Sequence, residues 1–181
     1  MTEVAETMEA VSRPVRHGVN NLMMVLLGNL DLILRGAAEG SAVARQAGRA
    51  KEAADRLTAL LSGFLAMPRD PGVTPSKPGV ALAALLPLLD VVAGRSVRLE
   101  DEALPPVVWA RPEMALALLG WALEMSGPDI VPVLRLTPDP SGGAGLTPHP
   151  TPRASTPQFA AAAAACGGTW DGTVLVLPYA P

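Results

Sequence analysis

RPVRHGVNNLMMVLLGNLDLILR, residues 13–35, sets a single histidine beside an almost purely apolar run. With Val19 as the start of a heptad, Val19, Leu22 or Met23, Leu26, Leu30, Ile33 and Ala37 recur at steps of three and four residues. That spacing predicts one continuous buried seam along a helix, and Leu27, Leu32 and Leu34 widen the apolar surface beyond it. His17 falls just before the seam and points away from it. Arg13, Asn21 and Met24 stand at helical spacing from His17 and share its exposed face.

Upstream, residues 2–12 suit an amphipathic helix with Thr2 as its cap, and Pro14 interrupts it. Either Ser12 caps a new helix with Pro14 in its first turn, or one long helix kinks at the proline. Both options place His17 near an N-terminal turn, whose partial positive charge favours an anion on the side chain. Downstream, residues 36–40 make a short reversal and Ser41 caps the next helix. There Val43, Ala47, Ala50, Ala54, Leu57, Leu61 and Phe64 form a second heptad seam. Two such helices predict an antiparallel hairpin that cannot cover both its apolar sides. A second copy completes it as a dimeric four-helix bundle.

The 181-residue chain is 49% hydrophobic and 17% charged, with a formal charge of −3. It is long enough for the hairpin and one further small domain, and lacks the basic footprint that a nucleic acid requires. One cysteine makes neither an intrachain disulfide nor a zinc site. The acidic start MTEVAETMEAV is unlike a signal peptide, and the apolar runs 22–34 and 80–92 fall short of the ~20 residues that span a bilayer. The expectation is a soluble, cytoplasmic protein with no membrane or nucleic-acid partner.

Residues 1–67 are thus read as the hairpin, the proline-rich 68–79 as a linker and 80–181 as a mixed α/β domain. Within the last, the pattern predicts a helix over 80–92 containing Pro87, strands at 96–100 and 107–110, and a helix over 112–125. A strand at 131–137, a Gly/Pro-rich loop at 141–157 holding His149, an alanine-rich helix at 157–166 and a terminal strand or hairpin at 169–177 follow. Trp109, Trp121 and Trp170 are expected in its core, and Cys166 as a small buried residue.

His17-Gly18-Val19-Asn20-Asn21-Leu22-Met23, followed by Gly28-Asn29-Leu30-Asp31-Leu32, resembles the phosphoacceptor helix of sensor histidine kinases. That pattern reads His-Asp-Phe-Asn-Asn-Leu-Leu and then Gly-Asn-Leu-Asp/Glu-Leu, so Gly18 replaces its acidic residue. The order of elements after the linker is similar to the kinases' ATP-binding domain, most clearly at ARPEMALALLGWALEMS and CGGTWDGTVLVLP. The fold class implied is α+β: the dimeric helical hairpin followed by a degenerate, Bergerat-like α/β sandwich.

The nucleotide motifs of that domain are missing. Gly120 and Glu124 stand at its two asparagine positions, the second of which holds magnesium in the kinases. Asp139-Pro140-Ser141-Gly142-Gly143 spaces its acid and glycines differently from Asp-x-Gly-x-Gly. Glu124 could still approach a metal, but a carboxylate adds repulsion beside a triphosphate.

A phosphoacceptor hairpin joined to a domain without nucleotide motifs resembles the ChpT-type histidine phosphotransferases. The resemblance implies a phosphorelay protein that passes a phosphoryl group between receiver-domain aspartates through His17. It implies no cofactor of its own, the magnesium lying on the receiver. Its partners are response-regulator receiver domains, a hybrid histidine kinase and a second copy of the chain. Asn21 aligns with a residue that orients water in the kinases, and Arg13 would steady the phosphoryl group; as plain alternatives, both are solvated polar residues. Met24 and Leu27 are the candidate receiver contacts, against the alternative that they are core. His149 is assigned no role. The competing function is an inactive kinase-like dimer that regulates a kinase or receiver without carrying phosphate.

Overall fold

The structure is a computed structural model and describes residues 3–66, 73–125 and 131–181, with Thr2 outside them. It is mixed helix and sheet, α+β, and divides into two compact units, Met1–Ala66 and Met67–Pro181.

The first unit is a pair of helices, α1 (Glu3–Gly36) and α2 (Ala42–Ala66). α1 runs unbroken through Pro14, so the long-helix reading holds. His17 lies well inside the helix, far from the unpaired N–H groups of a first turn, and the expected N-terminal charge does not act on it. Between the helices Gly40 takes φ +70, and Ser41 Oγ accepts the Ala44 N–H at 3.1 Å, which is the predicted cap. Met23 and Leu30 of α1 meet Ala47 and Ala54 of α2 in a small buried cluster flanked by Val19, Leu27 and Leu34. The alanines let the helices approach closely. Asp31 and Lys51 join them at 2.6 Å, and that hydrogen bond lowers the Asp31 pKa.

The seam read from the sequence therefore divides in two. Met23, Leu30, Leu27 and Leu34 turn toward α2, whereas Leu22, Leu26 and Ile33, about a quarter-turn round the helix, stay exposed. On α2, Val43, Leu57 and Phe64 are exposed in the same way. In an antiparallel pair these two stripes fall on one side of the hairpin, and the Asp31–Lys51 bond marks the other.

In the second unit β1 (Val73–Ser76) pairs antiparallel with β3 (Val107–Ala110) as a two-stranded sheet. Helix α3 (Pro78–Ala93) lies between them in the chain. Residues 73–79, expected in a linker, thus form a strand and the first turn of a helix. Pro75 is tolerated because β1 has a partner on one side only. Pro78 suits the first turn of α3, where its missing N–H has no helical acceptor anyway.

A five-stranded sheet has the order β2-β4-β5-β7-β6, from β2 (Arg98–Asp101), β4 (Val133–Asp139), β5 (Gly143–His149), β6 (Thr169–Trp170) and β7 (Leu175–Pro178). Only β2 and β4 run parallel. β5 occupies sequence expected to be loop. Its glycines are there for neighbours: a Cβ on Gly143 would sit 2.5 Å from the Leu177 carbonyl oxygen. Pro148 lies beyond the end of the β5–β7 pairing.

Alternate residues Leu134, Leu136, Ala144, Leu146, Leu175 and Leu177 point to one face of the sheet. They share a core with α3, α4 (Arg111–Leu123) and α5 (Thr156–Cys166). The result is a two-layer sandwich. Trp109 and Trp121 are buried in it, and Trp170 stacks on Phe159 with ring centroids 4.8 Å apart.

Candidate functional site

His17 is exposed on α1, about a third of a turn from the Met23–Leu30 line and on the flank opposite Leu22, Leu26 and Ile33. Positions 17, 21, 24 and 28 follow the helical repeat, so His17, Asn21, Met24 and Gly28 form one outward stripe. Met24 is 68% exposed. Of the two candidate docking residues, Leu27 is half-buried against the hairpin core and Met24 stands open. The Arg13 side chain lies outside the described residues.

Chemically the stripe offers an imidazole, a carboxamide and a thioether on a rigid helix. Gly18 adds no side chain, and a Cβ there would meet nothing within 4 Å. Among the described residues, the stripe presents the imidazole with open space at position 18 beside it and no carboxylate at position 21, 24 or 28. No group of three or more metal-ligating side chains occurs among the described residues, and none of the described helices is long and apolar enough to cross a membrane.

In the second unit, Glu124 follows the end of α4 and its carboxylate is engaged in hydrogen bonds. One oxygen accepts the Ser155 N–H at 2.7 Å and the Ser155 hydroxyl; the other accepts the Arg153 N–H at 2.7 Å. Burial pushes the Glu124 pKa up. The Ser155 hydroxyl and the amides of residues 153–155 more than offset this and hold the carboxyl below its ordinary value. One turn earlier, a Cβ on Gly120 would come within 3.0 Å of Ser155 Cβ. Both positions that depart from the kinase pattern therefore receive the segment before α5. This contact joins residues 31 apart in the chain, and no local sequence pattern announces it.

Residues 139–143 form the β4–β5 turn, with Asp139 Oδ1 accepting the Ser141 N–H at 2.8 Å and Gly142 at φ +95. Cys166 is buried and accepts the Ala110 N–H at 3.2 Å, and burial raises its thiol pKa. It behaves as the small core residue expected. His149 ends β5 on the exposed surface.

No protein-family profile matches the chain. No curated protein matches it either. Among solved structures it is similar to the histidine kinase domain of the EL346 blue-light activated histidine kinase from Erythrobacter litoralis. The match has 12% identity and a TM-score of 0.42 over 85% of this chain and 93% of that one.

Proposed function

We propose that this chain is a histidine phosphotransfer protein with a histidine-kinase-like fold, carrying a phosphoryl group between receiver-domain aspartates through His17 in a cytoplasmic two-component relay. The observation that carries the reading is the two-sidedness of the hairpin: an exposed histidine, within a kinase-like motif, opposite an uncovered apolar stripe on both helices. A second copy covers the stripe as a four-helix bundle and leaves two imidazoles facing outward.

In the transfer, a neutral imidazole nitrogen attacks the phosphorus of an aspartyl phosphate. The N–P bond forms as the acyl P–O bond breaks, and the aspartate carboxylate leaves on the receiver with its magnesium. Such a loose transition state asks the acceptor chiefly for placement in line, which a rigid helix supplies. Autophosphorylation asks for a nucleotide site as well. Gly120 and Glu124 face Ser155 and its neighbours instead, which supports a chain without ATP-dependent kinase activity of its own.

One observation favours a second reading, a regulatory dimer that carries no phosphate: Gly18 removes the carboxylate that stands beside the histidine in the kinase pattern. Incubating the chain with a panel of phosphorylated receivers separates the two. Label is expected on the wild type and absent from His17→Gln. Gly18→Asp is expected to keep transfer and to gain receiver dephosphorylation, since a carboxylate beside the histidine can act as a base. Equal labelling of wild type and His17→Gln, or no labelling by any receiver, replaces the relay reading with the regulatory one.

A further inference from the structure

The segment between β5 and α5, residues 150–155, runs along the C-terminal half of α4 and is held there by three residues on adjacent turns. Trp121 Nε1 donates to the Pro150 carbonyl oxygen at 2.8 Å, Gly120 leaves room for Ser155, and Glu124 accepts from Arg153 and Ser155. Pro152 and Ser155 are buried, whereas Thr151, Arg153 and Ala154 between and beside them are exposed. Ser155 is the N-cap of α5, yet its hydroxyl makes no capping bond to its own helix and donates instead to Glu124.

We propose that residues 150–155 are a strap and that the Glu124 carboxylate is its clasp, a conformational device that closes the start of α5 against α4 and can open without disturbing the core. An ordinary N-cap satisfies its helix from the residue next to it, and the helix then begins wherever the chain leads. Here the N-cap residue is itself held, through its N–H and its hydroxyl, by the carboxylate that follows α4, so the position of the α5 start depends on α4. Two further features make the opening local. The strap carries little apolar surface, since among its residues only Pro152 is a buried apolar one, while α5 is fastened separately through Phe159, Ala162, Ala163 and Cys166. The clasp also holds the strap by its backbone, accepting the Arg153 and Ser155 N–H groups at 2.7 Å each, and these bonds are lost when it is removed. In the open state the Gly120–Trp121 flank of α4 becomes accessible, and the exposed Arg153–Ala154 segment is released to take up the extended form that a protease binds.

Residue-resolved hydrogen exchange on the full chain tests this. Glu124→Ala is expected to speed exchange of the Arg153 and Ser155 amides at least tenfold, leave the α5 amides of Phe159 and Ala163 within a factor of two, and increase tryptic cleavage after Arg153. Ser155→Ala, a milder change that spares both backbone bonds, is expected to affect Ser155 alone and by less. Unchanged exchange at 153 and 155 in Glu124→Ala overturns the clasp. A uniform rise across α4, α5 and the sheet overturns the local strap, because the carboxylate would then be part of the global fold. Should Glu124→Ala fail to fold, an unchanged Ser155 amide in Ser155→Ala overturns it equally. None of these outcomes depends on His17.

Discussion

The hairpin and the unit that follows it treat their apolar residues in opposite ways. In the sandwich, Leu134, Leu136, Leu146, Leu175, Leu177, Trp121 and Phe159 are fully buried within one chain. In the hairpin, Leu22 remains 72% exposed and Val25 60%, and the buried cluster amounts to Met23, Leu30, Ala47 and Ala54. Two helices can bury one seam between them, whereas a sheet covered by three helices closes a core on itself. The hairpin is thus an incomplete fold, made whole by a second copy under the reading proposed above. The second unit closes a core by itself, although Val91, Leu116 and Leu123 on its helices stay exposed. This difference ranks the expected effects of substitution.

The largest effect belongs to the open stripe. Placing a carboxylate there, as in Leu26→Glu with Leu57→Glu, buries unpaired charge in the dimer and removes apolar contact at both helices. Self-association is expected to weaken by at least a thousandfold in sedimentation equilibrium. Hairpin helicity is expected to fall with it, while the sandwich keeps its own cooperative melt. A variant as dimeric as the wild type would show that Leu22, Leu26 and Ile33 are solvent-facing in every state of the protein.

Phe159→Ala is the mirror experiment. The ring is fully buried and stacked on Trp170, so its loss is expected to cost the second unit about 4 kcal/mol and to leave self-association unchanged. Coupled loss of the dimer would mean that the two units do not fold independently.

Glu124 gives a smaller, pH-dependent effect. Because the folded state holds this carboxyl below its ordinary value of 4.5, the unfolded chain binds the proton more readily. Its stabilisation is therefore fully present above that value and is lost as pH falls through the folded-state pKa. Glu124→Gln is expected to cost about 2 kcal/mol at neutral pH in urea denaturation, with the gap to wild type narrowing below pH 4.5. A gap that does not change with pH would assign the loss to packing rather than to the ionised clasp.

How much of this was readable beforehand follows the same division. Helix periodicity, the Ser41 cap and the exposure of His17 are local properties, and they stand in the sequence of residues 17–41. The partition of the seam is less local, because a heptad cannot say whether Leu22 or Met23 meets α2, and that decision half-buries Leu27. In the second unit β1 and β5 were hidden by their prolines and glycines. Pro75 sits on a strand with one neighbour, and Gly143 answers to the Leu177 carbonyl, a contact far along the chain. The clasp was invisible for that reason too: Glu124 looks like a displaced metal ligand until Ser155 is seen beside it.

Glycine provides the finest test, since one substitution is expected to change sign between the units. Gly28 is in the interior of α1, on the His17 side, and a Cβ there would meet nothing within 4 Å. Gly28→Ala therefore adds helix propensity without a clash and is expected to stabilise the hairpin by about 1 kcal/mol. Gly120 is also helical, and the same propensity gain applies to it. Its new Cβ would stand 3.0 Å from Ser155 Cβ, however, and Ser155 cannot retreat because it is buried and its N–H and hydroxyl are both held by Glu124. Overpacking of this kind costs ~1–3 kcal/mol, so Gly120→Ala is expected to come out as a small net loss. Combining Gly120→Ala with Glu124→Gln frees Ser155 to move, and the pair is expected to cost less than the sum of the two single changes. Urea denaturation of the four variants measures all of this. A stabilising Gly120→Ala, or strict additivity with Glu124→Gln, would show that the segment before α5 yields without resistance.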